Sequence, residues 1–170
     1  LSRVTTRRLV LVSGMGDTGR TTTVARLVRS MKREGSVQVV MVESCPEYVI
    51  DVDGLVVTRF EKSGSNEKKT AAIRAMNPEV VVIDEIESYE DLMMAISAAE
   101  GGAHVIAVTR GISTIETLLR LFDLVPERFV ASVRNQFSFV FEACITQRAL
   151  GRNDGQGRVV ASEICVFNPA

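Results

Sequence analysis

Residues 13–23, SGMGDTGRTTT, nearly match the phosphate-binding loop pattern G-x-x-x-x-G-K-[ST]. Only Arg20 departs, because it stands where the pattern has lysine. In such a loop the backbone N–H groups and the N-terminus of the following helix converge on a phosphate, and the Thr21 hydroxyl is available to Mg²⁺. The residues predicted to contact a nucleotide are Gly14, Gly16, Asp17, Thr18, Gly19, Arg20, Thr21 and Thr22. The alternative is a plain glycine-rich turn between a strand and a helix.

Carboxylates follow two of the apolar runs. Asp84 and Glu85 come at the end of the most apolar one, where a parallel α/β sheet places its ligand. An Asp there can hold Mg²⁺ through water, and the neighbouring Glu can orient or deprotonate an attacking water. Glu43 ends another apolar run and is either a third carboxylate of the site or an ordinary loop charge. We expect Glu43 and Glu85 to share one cleft with Thr21.

Short apolar runs that alternate with helical patterns must position these groups. The predicted strands cover residues 8–13, 37–42, 55–60, 79–84 and 104–109, and the predicted helices cover 21–34, 70–76, 89–100, 113–123 and 127–139. A polar loop is expected from Ser63 to Lys69. This alternation predicts an α/β fold with a parallel sheet that helices cover on both faces. Two further β-type runs, 144–150 and 158–167, flank GRNDGQG and predict a closing antiparallel hairpin.

The bulk composition describes an ordinary globular chain. Its 170 residues suit one domain, so we expect residues 1–170 to form a single unit, and the start at Leu1 suggests a piece of something longer. A net charge of -1 gives no overall pull toward nucleic acid, and the apolar runs are too short for direct membrane insertion. Three cysteines without a C-x-x-C pair argue against a disulfide framework or a zinc site and fit a reducing cytoplasm.

The order of these signatures resembles the core ATPase domain of the type II secretion and type IV pilus motors, in particular the pilus retraction (twitching motility) branch. VMVESCPEYV is similar to the family's acidic box, and RAMNPEVVVIDEIESYEDLMMAISAAEGGAHVIAVT is similar to its Walker B region. GRVVASEICVFNPA resembles the hairpin that closes the family's core. The resemblance covers nearly the whole chain. It places Glu43 at the family's catalytic glutamate, Glu85 at the Walker B glutamate, and Arg59 near the arginine that reaches a neighbouring subunit's nucleotide.

The resemblance implies a RecA-like P-loop NTPase with ATP and Mg²⁺ as cofactors and with Thr21 and Asp84 at the metal. It implies a hexamer, homomeric or mixed with a related motor, in the cytoplasm. There the ring would lie peripheral to the inner membrane, against the platform protein of a pilus or secretion system. Neither nucleic acid nor the lipid bilayer itself is an expected partner.

Four departures from the family bear on turnover. The family's lysine is Arg20, a loop glycine is Asp17, the histidine of its histidine box is Arg110, and an arginine after the Walker B glutamate is Glu87. A planar guanidinium substitutes poorly for a compact ammonium in a tight phosphate loop. Asp17 adds a negative charge where anions bind. The family's N-terminal sensor-like domain and its C-terminal helical region lie outside this sequence.

Three hypotheses remain open at this point. The first is a hexameric ATPase core, and the second is a non-catalytic paralogue that serves as a structural or regulatory subunit. The third, a small-molecule kinase, is disfavoured because the chain has no arginine-rich lid and the closing hairpin has no place in that fold. We expect nucleotide binding with slow hydrolysis, since the carboxylates are retained while part of the cationic machinery is altered.

Overall fold

The computed structural model describes residues 8–31, 35–45, 53–153 and 155–167. Seven strands of this described part form one sheet in the order β3-β2-β4-β5-β1-β6-β7. They are β1 (Leu9–Gly14), β2 (Val37–Glu43), β3 (Leu55–Glu61), β4 (Val80–Ile83), β5 (His104–Thr109), β6 (Phe141–Gly151) and β7 (Arg158–Val166). Every pairing is parallel except that of β6 with β7. The predicted parallel sheet with a closing antiparallel hairpin is confirmed.

Helices cover both faces of this sheet, as the sequence predicts. They are α1 (Arg20–Ser30), α2 (Asn66–Met76), α3 (Tyr89–Glu100), α4 (Thr114–Asp123) and α5 (Val130–Val140), with a 3-10 turn at Glu127–Phe129. On one face α1 packs through Val24 and Val28, and on the other a larger cluster includes Leu92, Ile96 and Phe137. No helix in the described ranges has the length and apolarity needed to cross a bilayer.

The second helix is longer than the sequence pattern indicates. We predicted a helix from Thr70, but α2 begins at Asn66 because Ser65 caps it by accepting a hydrogen bond from the Lys68 amide at 3.4 Å. Lys69 is buried, although its position in a polar stretch suggested a loop. The capped first turn is polar, so periodicity alone could not place this boundary.

The start of β6 differs from its predicted position, and the predicted end of the first helix lies outside the described residues. β6 begins at Phe141, three residues before the predicted run, because it continues directly from α5. The described part of the first helix ends at Ser30, whereas residues 32–34 of the predicted helix lie outside the described ranges. Part of the acidic box, residues 46–49, and Asp154 of the hairpin turn lie outside them as well.

The hairpin register brings two cysteines together. Cys144 of β6 pairs with Cys165 of β7 in the antiparallel ladder, and both thiols are free. Cys144 is fully buried, and this burial raises the pKa of its thiol, while Cys165 is exposed. Their distance in sequence gave no sign of this proximity.

Candidate functional site

The predicted phosphate-binding loop connects β1 to α1 and is tightly closed. A Cβ at Gly14 would lie 2.4 Å from Thr18 Oγ1 and 2.7 Å from the Gln147 carbonyl oxygen, so only glycine fits there. The Thr18 hydroxyl donates to the Met15 carbonyl at 2.8 Å and closes the loop from within. The strand–loop–helix context that the motif requires is therefore present.

The loop also has the backbone shape of an anion-binding nest. Asp17 has a φ of 58° and Gly19 a φ of 86°, both in the left-handed region. Asp tolerates this region better than most residues, so Asp17 keeps the conformation that a glycine would adopt. In the described part of the chain, the N–H groups of Gly16, Asp17 and Gly19 donate to no protein acceptor. These donors fit a phosphate at the start of α1.

Arg20 does not extend along the loop but crosses to the neighbouring strand ends. Its Nη1 donates to the Thr109 carbonyl at 3.0 Å, at the end of β5. The same nitrogen lies 3.7 Å from Glu85 Oε1, and the side chain is 16% exposed. The cation that replaces the pattern's lysine is therefore directed toward the predicted Walker B glutamate.

Glu85 is enclosed by cations on several sides. Arg110 donates from Nη2 to Glu85 Oε2 at 3.1 Å and from Nε to Oε1, which makes a two-pronged contact. This hydrogen bonding to Glu85 raises the pKa of Arg110 above its ordinary value. Lys62 donates to the main-chain oxygen of Glu85 at 2.5 Å. The sequence pattern places Arg110 at the position of the family's histidine but gives no sign of its partner, and it indicates no role for Lys62.

The second predicted glutamate lies on the same rim. β2 and β4 are neighbours, and the Asp84 amide donates to the Val42 carbonyl at 2.8 Å, so Glu43 and Glu85 follow adjacent strand ends. Glu43 is only 3% exposed. Its Oε1 accepts a hydrogen bond from Arg59, whereas its buried Oε2 has no partner among the described residues. An orphaned buried carboxylate oxygen fits a water or a ligand donor.

A cleft beside Glu85 opens at the ends of β4 and β5. It has a volume of about 220 Å³, and its lining includes Glu85, Glu87, Thr109 and Arg110. The predicted sharing of one cleft by Glu43, Glu85 and Thr21 stays a prediction.

The predicted metal ligands are Thr21, in the first turn of α1, and Asp84, directly after β4. The described residues contain no cluster of three or more His, Cys, Asp or Glu side chains able to hold a metal ion. Magnesium in phosphate-transfer sites takes only one or two protein ligands and completes its shell with phosphates and water. The Thr21 hydroxyl and the Asp84 carboxylate fit a Mg²⁺ ion that arrives with a nucleotide.

The closing hairpin packs against the phosphate-binding loop, a contact that the sequence patterns did not predict. Gln147 of β6 is buried, pairs with Gly14 and donates from Nε2 to Thr23 Oγ1 at 2.8 Å, while its own buried Oε1 has no partner among the described residues. A Cβ at Gly19 would lie 3.9 Å from Val160 Cγ2 of β7. No specific signal for this contact was present in the sequence, because Gln147 is the middle one of three consecutive polar residues of β6.

Comparisons with known proteins agree with this geometry. The family described as type II/IV secretion system protein matches residues 3–162. The chain is 27% identical to the twitching motility protein of Neisseria gonorrhoeae over 96% of its own length and 45% of that protein. It is 29% identical to the type IV pilus retraction ATPase PilT of Pseudomonas aeruginosa, over 96% of the chain and 48% of PilT. The chain thus spans about half the length of the relatives it matches.

Solved structures share the fold. The pilus retraction motor PilT with bound ADP superimposes with a TM-score of 0.85 at 29% identity, covering 96% of this chain and 48% of that one. The Legionella pneumophila ATPase DotB gives a TM-score of 0.86 at 21% identity, covering 96% and 46%, which supports the fold alone. The chain belongs to the type II/IV secretion system protein family and has the P-loop fold of its motor ATPases, with Arg20 in place of the loop lysine.

Proposed function

We propose that this chain is the nucleotide-binding core of a pilus or secretion motor and that it hydrolyses ATP slowly. The observation that carries the proposal is the loop between β1 and α1, whose left-handed turns leave the N–H groups of Gly16, Asp17 and Gly19 without acceptors among the described residues. The carboxylates on the same rim support it. The relative with bound ADP has the same fold at 29% identity.

Each predicted site residue has a role in this proposal. The loop N–H groups bind the phosphates, and Thr21 and Asp84 hold Mg²⁺, the latter through water. Bound ATP supplies the phosphoryl group that water attacks. Glu85 and Glu43 orient that water, one of them accepts the single proton that it loses, and ADP leaves as the bond to the γ-phosphorus breaks. Glu43 Oε2 suits the proton acceptor, since it has no partner among the described residues.

Slow hydrolysis is expected because the positive charge of the phosphate-binding loop is carried by an arginine with other partners. A phosphoryl-transfer site works mainly by placing positive charge on the transferred group, and loss of one such cation lowers the rate by roughly 10³–10⁵. The loop cation here is Arg20, whose guanidinium is already engaged with Thr109 and lies close to Glu85. Binding by backbone N–H groups is retained, while charge stabilisation in the transition state is weakened.

The motor would be a cytoplasmic hexamer, homomeric or mixed, that is peripheral to the inner membrane and works on a pilus or secretion platform. The twitching motility and pilus retraction relatives support the pilus part of this assignment. In such a ring Arg59 would exchange its contact with Glu43 for the nucleotide of a neighbouring subunit. The alternative is a non-catalytic subunit of the same ring, which is favoured by one observation: Arg110 occupies both oxygens of Glu85.

The test compares the unaltered chain with Arg20→Lys, Arg20→Ala and the double variant Arg20→Lys/Asp17→Gly. Affinity is measured by fluorescence titration with mant-ADP, and turnover by phosphate release with Mg²⁺ and ATP. We expect saturable binding by the unaltered chain, turnover below about one per second, and at least tenfold faster turnover in Arg20→Lys.

Three outcomes would change the assignment. Turnover of several per second by the unaltered chain would show that Arg20 is fully competent. If Arg20→Ala changes little and the double variant gains binding, the chain is the non-catalytic subunit. Absence of mant-ADP binding in all four proteins would exclude the nucleotide site altogether.

A further inference from the structure

Arg110 and Glu85 are held within reach of each other by neighbouring strands. Arg110 directly follows β5, and Glu85 follows β4 by two positions. The Ile86 amide donates to the Val108 carbonyl at 2.7 Å and joins the two segments beyond the ladder itself. The contact between Arg110 and Glu85 therefore joins two segments whose backbones are already hydrogen-bonded to each other.

The position of Glu85 is fixed from its main chain as well. Its φ of 52° lies in the left-handed region, and Lys62 holds its carbonyl oxygen at 2.5 Å. With the backbone fixed, the direction of the carboxylate depends on what its two oxygens contact. Arg110 donates to each of them, and Arg20 lies 3.7 Å from one.

This arrangement competes with water for Glu85. A carboxylate orients or deprotonates a water only when one of its oxygens can accept that water's proton. Each carboxylate oxygen can accept about two hydrogen bonds, so the Arg110 fork takes one acceptor site on each oxygen of Glu85. Because these bonds are roughly twice as strong as those between neutral groups, they fix the direction of the sites that remain for water. The Arg110 side chain is 59% exposed and the Glu85 side chain 19%, which means that solvent screens the pair and it can open.

We propose that Arg110 is a positioning residue that restrains Glu85 and slows hydrolysis at this site. Arg110 acts through Glu85, and the inference rests on the proposed function because it describes regulation of the same site. Arg20 also lies 3.7 Å from Glu85 Oε1, but it makes its hydrogen bond to Thr109, so its contact with Glu85 is an ion pair without the two hydrogen bonds of the Arg110 fork. The fold holds Glu85 in place without Arg110, through Lys62 and the ladder.

The experiment measures kcat, KM for MgATP and mant-ADP affinity for Arg110→Gln and Arg110→Lys. We expect Arg110→Gln to raise kcat about fivefold, with KM and mant-ADP affinity within a factor of two of the unaltered chain. Arg110→Lys should give an intermediate kcat, because an ammonium cannot donate as a planar fork to both oxygens. Arg134→Gln is the matched control, since Arg134 is exposed on α5, lies over the Phe122 ring and is not among the residues that line the cleft, so kcat, KM and mant-ADP affinity should stay unchanged.

A second substitution identifies the route of the effect. Relative to Glu85→Gln alone, Arg110→Gln/Glu85→Gln should show no gain in kcat, because in this proposal Arg110 acts through the Glu85 carboxylate. An unchanged or lower kcat in Arg110→Gln, or a gain that persists without Glu85, would overturn the inference. These results are distinct from failure of the proposed function, which appears as loss of mant-ADP binding in every protein and would overturn both.

The ion pair is also tested without nucleotide. The unfolding midpoints of the unaltered chain, Arg110→Gln, Glu85→Gln and the double variant form a thermodynamic cycle. We expect the two single shifts not to add, with a coupling of about 1–3 °C for a partly exposed pair in a chain of this size. Additive shifts would show that Arg110 does not hold Glu85 in solution and would overturn the inference directly.

Discussion

The loop geometry makes Gly14→Ala a severe substitution. The new Cβ would lie 2.4 Å from Thr18 Oγ1 and 2.7 Å from the Gln147 carbonyl oxygen. Thr18 could rotate, but only by giving up its 2.8 Å hydrogen bond to the Met15 carbonyl. The Gln147 oxygen belongs to the backbone of β6, which is paired with β1, so it cannot move alone.

The cost follows from that overlap. Forcing an extra carbon into a closely packed site lowers the free energy of unfolding by about 1–3 kcal/mol. For a chain of this size, each 1 kcal/mol lowers the unfolding midpoint by about 2–4 °C. We therefore expect Gly14→Ala to unfold about 2–12 °C lower, as followed by circular dichroism at 222 nm. Its mant-ADP affinity should also fall about tenfold, because the loop must open to accept the methyl group.

Gly16→Ala is the matched control for stability. A Cβ there meets nothing within 4 Å, and Gly16 has no positive φ. We expect its unfolding midpoint to stay within about 2 °C of the unaltered chain. Equal midpoints for Gly14→Ala and the unaltered chain, with equal nucleotide affinity, would refute the packing of the loop described above.

Three further predictions concern the loop, the hairpin and the buried thiol. Asp17→Gly removes a negative charge while keeping the left-handed turn, so mant-ADP affinity should rise about fivefold at low salt, and a fall would contradict the nest. Gln147→Ala removes the buried donor to Thr23 and should cost about 1–3 kcal/mol in urea unfolding, whereas no loss would show that the bond is absent. Burial raises the pKa of the Cys144 thiol in the folded chain. As pH rises past about 8.5, this thiol therefore ionises in the unfolded chain before it ionises in the folded chain. The free energy of unfolding should therefore fall as pH rises from about 7.5 to about 9.5, and it should fall less in Cys144→Ala. Equal slopes of the free energy of unfolding against pH in the two proteins would refute this.

Much of the fold could be predicted from local patterns. Apolar runs such as Val80–Ile83 are typical of strands in a sheet that is buried on both faces. The glycine loop directly follows the first apolar run of the chain, so it must lie at the end of β1. The rule that ligands gather beyond the carboxyl ends of parallel strands correctly placed Glu43 and Glu85 on one rim. In these elements the apolar pattern of the sequence and the burial of the strands in the sheet have the same physical cause.

The side-chain partners could not be predicted, because they depend on strand order and register. Arg110 and Glu85 are 25 residues apart, and only the pairing of β4 with β5 brings them together. The same holds for Cys144 and Cys165, which become neighbours through the hairpin register. The substitutions in the loop were visible in the sequence, but the direction in which the Arg20 guanidinium extends was not.

The central claim is that the backbone of the glycine loop binds a nucleotide's phosphates. The most direct measurement is a ¹⁵N–¹H NMR titration of this 18.6 kDa chain with ADP and Mg²⁺. We expect the amide resonances of Gly16, Asp17 and Gly19 to show the largest shifts, in a saturable manner, because their N–H groups donate to no acceptor in the part of the chain that the structure describes. Saturable ADP binding that leaves these three amides unmoved, or no binding at all, would contradict the account.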